Sequence, residues 1–138
     1  MKKIYFEIIT PDKVVFSSEI DQITLPTTDG VITILPDHAP LVAETKPGEI
    51  IIKTDGKTNH MAVMNGFVET SDSKVRLMTE AAELAENIDE RRAEEARRRA
   101  EEAREKAKDS IEFTEASAAF ERALTRIKIA KRKHSRHM

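Results

Sequence analysis

Cysteine and tryptophan are absent from this 138-residue chain, and aromatic residues make up only 4% of it. Without cysteine there is neither a disulfide framework nor a thiolate zinc site. So few aromatics leave little for base stacking, which argues against a reader of single-stranded nucleic acid. Apolar runs such as Val31 to Leu35 fall far short of the roughly 18 to 20 residues that a membrane-spanning helix needs. No charged, apolar, small-residue leader opens the chain, so any membrane association is expected to go through a partner. A phosphate-cradling loop of the form G-x-x-x-x-G-K-S/T is missing, which excludes a Walker-type hydrolytic site. His60, His134 and His137 form no metal-ligand pattern, and no acid or nucleophile at a telling catalytic spacing accompanies His38. An independent enzyme therefore ranks last among the function classes.

Glycine and proline also run out: all four glycines and all five prolines lie within the first 66 residues. Between these turn-formers sit short segments with strand composition: "IYFEIIT", "KVVFSSEI", "DQITLPT", "GVITIL", "PLVAET", "EIIIKT", "HMAVMN", "FVETSD" and "KVRLMT". Turn signals such as "TTDG", "KPGE" and "TDGK" separate many of them. Many short strands at regular spacing predict a β-sandwich or barrel, because two packed layers let each strand bury one face. Strand texture ends near Thr79, and strong helix formers take over from Glu80.

The later residues follow a helical period. Ala93, Ala96, Ala100, Ala103 and Ala107 recur at three and four, flanked by charges that predict pairs such as Glu94 with Arg98 and Glu95 with Arg99. After "KDS" the period resumes with Phe113, Ala116, Phe120, Ala123, Ile127 and Ala130, predicting a second helix that folds back on the first. The expected class is α+β: a β-sandwich over residues 1–84, then a two-helix antiparallel hairpin over 85–138. Asn87, three residues before Glu90, is expected to cap the first helix as a variant capping box.

Alanine buries little apolar area, so the hairpin is expected to be marginal and able to exchange between folded and extended forms. A permanently docked hairpin fits the same residues. The overall charge of −2 conceals a basic end, since residues 122–138 carry seven Lys/Arg and no acid. That end suits an acidic protein surface, nucleic acid or an anionic membrane, and charge alone does not choose among them.

The segments "TPDKVVFSSEID", "GVITILPDHAPLV", "KPGEIII", "NGFVET" and "NIDERRA" together resemble the epsilon subunit of rotary ATP synthases over nearly the whole chain. The resemblance implies a non-catalytic rotor component on the cytoplasmic face of the cell membrane, peripheral and held there only through the complex. Its sandwich would join the gamma subunit to the ring of c subunits. Thr28, Asp29, Gly30 and Val31 would face the ring, and His38, Ala39 and Pro40 would face gamma, although His38 is equally read as bonded within its own loop. Thr33, Asp37 and Asn65 stand where the family often has glycine. Asp and Asn tolerate a left-handed backbone, whereas β-branched Thr33 suits only an extended one.

In some members of that family the corresponding hairpin binds ATP. The likeness therefore implies a nucleotide site at Ile88, Asp89, Arg92 and Ala93, with Arg99, Arg122 and Arg126 toward the phosphates and Glu83 at the domain junction. Without such a site, the same "NIDERRA" segment is simply a helix start with favourable charges. No cofactor is required in either reading, and ATP enters only as a regulatory ligand. Arg122, Arg126, Lys128, Lys131, Arg132 and Lys133 would meet the catalytic beta subunits of the alpha/beta head when the hairpin extends. A nucleic-acid adapter is the weaker alternative for this basic end.

Overall fold

The computed structural model describes residues 2–136, with side chains as far as residue 132. The chain separates into two compact units, Met1–Leu84 and Ala85–Met138.

The first unit is built from β1 (Ile4–Ile9), β2 (Val14–Ile20), β3 (Gln22–Thr27), β4 (Gly30–Ile34), β5 (Leu41–Thr45), β6 (Gly48–Thr54), β7 (Lys57–Val63), β8 (Gly66–Ser71), β9 (Lys74–Thr79) and β10 (Ala82–Leu84). Hydrogen bonding runs β10-β7-β6-β3-β5-β8-β9-β1-β2, with β4 beside β3. The path folds into two layers because β3 and β5 share only the pair Thr27 and Thr45, while the other ladders are longer. All ladders are antiparallel except β1 on β9.

Alternation along the strands sends one set of side chains between the layers. Ile4, Phe6, Ile8, Ile20, Val68, Val75 and Leu77 meet Ile23, Leu25, Ile34, Ile50, Ile52, Met61 and Val63 in a single buried cluster. The rings of Phe6 and Phe16 lie tilted, 5.8 Å apart. Tight turns hold the registers: Asp55 and Gly56 (φ 50° and 80°) join β6 to β7, and Asp72 and Ser73 (φ 49° and 62°) join β8 to β9. Left-handed backbone at both central positions matches the twist of a two-residue hairpin.

The nine strand segments read from the sequence correspond to β1 through β9. The tenth strand overturns the expectation of helix from Glu80, since Ala82, Glu83 and Leu84 pair with Val63, Ala62 and Met61 of β7. Their helix propensity yields to the unpaired backbone of a sheet edge, a tertiary override that local composition does not register.

The second unit opens with a 3-10 turn at Ala85–Asn87, followed by α1 (Glu90–Glu105) and α2 (Ser110–Arg136), which pack together as a hairpin. The N-cap of α1 is Asp89, not Asn87: its Oδ1 accepts from the Arg92 N–H at 3.1 Å. Asn87 is consumed by the 3-10 turn, in which Ile88 N donates to Ala85 O. α2 is capped by Asp109, whose Oδ1 accepts from Glu112 N at 2.8 Å, while Glu112 Oε2 accepts from Lys108 N at 2.9 Å.

The small-residue stripe is only partly inside. Ala93, Ala100, Ala116, Ala123, Ile127 and Ala130 are buried, as is Ile129, but Ala103 is exposed and Phe113 is 51% exposed. Phe113 lies in the first turn of α2, level with the connecting loop, where α1 has ended. Phe120 instead receives the Arg104 guanidinium, 4.7 Å above its ring. Ion pairs on α1 also differ from those expected: Arg97 bridges Glu94 and Glu101 at 3.2 and 2.9 Å, and Arg91 meets Glu95 at 3.6 Å. Arg97 lies within one turn of both acids, so it satisfies two carboxylates with one side chain.

Candidate functional site

The segment 28–31 forms a β-hairpin tip. Thr27 pairs with Gly30 across a two-residue turn, and the Thr27 hydroxyl donates to Gly30 O at 2.6 Å and accepts from Asp29 N at 3.2 Å. Gly30 has φ 117°, which a side chain would strain. Beyond it Val31 stands 70% exposed, an apolar side chain presented at a rigid tip.

The loop between β4 and β5 carries Asp37, His38, Ala39 and Pro40, all exposed. Asp37 adopts φ 66°, as a stand-in for glycine should, and its carboxylate meets Lys2 Nζ at 2.7 Å. His38 is bonded within its own loop: Nδ1 donates to Ala39 O at 2.7 Å, since a carbonyl only accepts. Thr33 lies in β4 with its hydroxyl 2.9 Å from that of Thr24, so the strand is extended there. Asn65, expected to take a left-handed turn, is not among the residues with positive φ. It sits in the bend between β7 and β8, where its carbonyl accepts from Glu80 N and Thr79 Oγ1, a bonding pattern that needs no left-handed backbone.

The outer face of β5, β8, β9 and β1 shows a feature that the sequence reading missed. Glu44 pairs with Phe67, Phe67 with Met78, and Met78 with Ile9, so these side chains form a row across four strands. Phe67, Met78 and nearby Val42 are 54%, 37% and 73% exposed. Phe67 and Met78, together with Ile9, Thr10, Pro11, Glu44, Asn65, Gly66, Thr79 and Glu80, border a groove of about 480 Å³. The signal in the sequence was a break in alternation: Phe67 adjoins buried Val68, and Met78 adjoins buried Leu77. A second, smaller pocket on the same face is polar and contains the Glu7, Arg76 and Glu69 ion pairs.

The residues of the nucleotide reading are distributed over several elements. Asp89, Arg92 and Ala93 occupy the first turn of α1, where Asp89 is already engaged as the cap and Ala93 is fully buried. Ile88 is buried, Arg99 and Arg122 are exposed, and Arg126 is half-buried on α2. Glu83 belongs to β10 in the first unit. Neither pocket includes any of them. Lys128, Lys131 and Arg132 are exposed on α2, and the side chain of Lys133 lies outside the described residues. Among the described residues no three His, Asp or Glu side chains are grouped to hold a metal, and no helix is long and apolar enough to cross a membrane.

A sandwich with an apolar outer face and a rigid apolar tip, joined to a charged helical hairpin, defines a class of interaction subunit. Comparison gives the family. Residues 3–85 match the beta-sandwich domain of the ATP synthase delta/epsilon chain, and residues 86–131 match its long alpha-helix domain. The ATP synthase epsilon chain of Nitratidesulfovibrio vulgaris strain DP4 is 40% identical over 128 residues, 93% of this chain and 96% of that one. That of strain Miyazaki F is 48% identical over 128 residues with the same coverage. The epsilon chain of Desulforamulus reducens is 41% identical over 124 residues, 90% of this chain and 94% of its own length.

The fold is shared with a chain in the cryo-EM structure of the Euglena gracilis mitochondrial ATP synthase OSCP/F1/c-ring. There the TM-score is 0.76 at 21% identity, covering 89% of this chain and 78% of the other. A chain in the central stalk/c-ring structure of the Tetrahymena thermophila mitochondrial ATP synthase gives 0.61 at 12% identity, covering 94% and 97%. The chain belongs to the ATP synthase delta/epsilon chain family.

Proposed function

We propose that this chain is the epsilon subunit of an ATP synthase central stalk: a non-catalytic rotor component that joins gamma to the c-ring during proton-driven synthesis. The carrying observation is that both halves match one family in a single alignment, at 40% identity over 93% of the chain. The sandwich is the gamma- and ring-binding unit. Val31 and its turn fit the ring contact, while the His38 loop, continued by exposed Val42 and Phe67, fits the gamma contact. Aromatic anchors on an exposed apolar patch are what stable interfaces use. The subunit sits at the cytoplasmic face of the membrane through these partners alone.

Phe67→Glu should weaken capture by purified gamma more than about tenfold. Unchanged capture would remove this face from the interface.

The hairpin is the regulatory part of the same reading. Extended, it reaches the catalytic head, where Arg122, Arg126, Lys128, Lys131, Arg132 and Lys133 meet acidic segments of beta and block hydrolysis. Deleting residues 87–138 should relieve that inhibition, and unaltered hydrolysis by the assembled complex would refute the role. ATP would bias the hairpin toward its compact form. Half saturation supplies only about 0.4 kcal/mol and a hundredfold excess roughly 2.7. A complete swing takes about 5.5 kcal/mol, so partner contacts must supply the rest. Calorimetric titration of the isolated chain with ATP, beside Arg92→Ala and Arg126→Ala, tests the sensor. Binding that neither substitution weakens would place the ligand elsewhere.

A further inference from the structure

The groove on the sandwich face has an asparagine on its rim, and that asparagine is followed by glycine. Asn65 is exposed, lies in the bend between β7 and β8, and its side-chain amide makes no hydrogen bond among the described residues. The residue after it has no freedom to change. A Cβ on Gly66 would collide with the Met78 carbonyl oxygen and stand 2.8 Å from Thr79 Cα. Tight packing of β8 on β9 therefore imposes glycine, and glycine is the follower that least obstructs attack by its own backbone nitrogen on the preceding side chain.

We propose that Asn65–Gly66 is a site of spontaneous deamidation through an intramolecular imide. The Gly66 N–H stands in the end pair of the β5–β8 ladder, opposite Thr45, and must leave that pairing; the nitrogen then loses its proton and bonds to Asn65 Cγ. The Cγ–Nδ2 bond breaks, and ammonia leaves carrying the proton. Water then opens the ring at either carbonyl, giving aspartate or isoaspartate at position 65. The anion formed when Gly66 N is deprotonated is shared with the Asn65 carbonyl oxygen. That oxygen already accepts from Glu80 N at 3.2 Å and from the Thr79 hydroxyl at 3.1 Å. Donors aimed at a developing oxyanion lower the cost of forming it. Thr79 divides its one proton among the carbonyls of Met64, Asn65 and Ala81, so Glu80 N is the steadier donor.

The product adds a carboxylate to a rim that already holds Glu44 and Glu80, facing Phe67 and Met78. The isoaspartyl form also adds a backbone carbon at the entry to β8. Neither the chemistry nor its test depends on which partner uses the groove.

The chain supplies its own controls, because Asn59 and Asn87 are also exposed but precede His60 and Ile88. The full-length folded protein is incubated at mildly alkaline pH and mapped by peptide mass spectrometry with isoaspartate detection. The expected result is progressive conversion of the Asn65 peptide, with matching ammonia release, while Asn59 and Asn87 keep their amides. Conversion at Asn65 no faster than at those two would overturn the proposal. Thr79→Val, checked for native circular dichroism, should slow conversion severalfold. An unchanged rate in that folded variant would overturn the part assigned to the Thr79 hydroxyl and leave the activation to Glu80 N alone.

Discussion

The two units of this protein bury different kinds of residue. The sandwich is filled by Phe6, Leu25, Leu77, Met61 and a set of isoleucines, each fully or almost fully withdrawn from water. The hairpin withdraws mostly alanines, with Ile127 and Ile129 toward the end of α2. A buried Leu or Phe contributes about 1.5–3 kcal/mol, and an alanine much less. The sandwich therefore holds its shape through side-chain volume, whereas the hairpin depends on close backbone approach, caps and ion pairs such as Arg97 with Glu94 and Glu101. An element held together in this second way is opened at lower cost, as a regulatory arm requires.

The contrast can be tested by substitution. The largest effect is expected in the sandwich, where Phe6→Ala should cost about 3–5 kcal/mol in denaturant unfolding. A loss below about 1 kcal/mol would mean that volume is not what holds this core. In the hairpin, Ala93→Leu adds volume at a position with no exposed surface and should cost about 1–3 kcal/mol. Its signature is lost helical circular dichroism with an unchanged sandwich transition. Joint loss of both signals would show that the two units unfold as one.

A smaller effect, about 0.5–2 kcal/mol, is expected from Asp89→Ala, which removes the α1 cap. Asn87→Ala should fall well below it. The reverse order, measured by helix melting, would restore Asn87 as the cap.

The smallest effect concerns the half-buried tie in which Lys3 Nζ meets Asp21 and the exposed Asp55 at 2.6 and 2.7 Å. The hydrogen bond from Lys3, reinforced by Asp55 N, lowers the Asp21 carboxyl below its ordinary 3.8. A lowered acid contributes stability that is present above its unfolded value and lost as pH falls through the folded one. The partner shift is upward: hydrogen bonds to Asp21 and Asp55 raise Lys3 above its ordinary 10.5. Its contribution is complete below that value and lost as pH rises through the raised one. Asp21→Asn should therefore flatten the acid limb of the stability profile slightly, and added salt should mask the difference. An acid limb identical in both proteins at low salt would exclude Asp21 from it.

Asp37 and Thr33 show how far local chemistry reaches. A residue type that tolerates φ 66° and one that demands an extended strand are recognisable in the chain, and the backbone adopts both. Asn65 carries the same local permission and does not use it, because Glu80 N and Thr79 Oγ1 hold its carbonyl from elsewhere in the sheet. The apolar face around Phe67 was legible only as irregular alternation. Which of two adjacent apolar residues points outward depends on the layer opposite.

By itself, the sequence determined the α+β class, nine of the strands, the break to helix-forming composition and the likeness to one family. These follow from side-chain periodicity, turn chemistry and motif, which are local properties of the chain. Tertiary structure alone decided that Ala82–Leu84 is a strand, that Asp89 caps α1, that Phe113 lies outside, and that Val42, Phe67 and Met78 share one face. Each of these depends on a neighbour distant in sequence, or on where a helix or strand ends. The free energy of pairing an edge backbone or covering an apolar side chain is not a property of the segment that receives it.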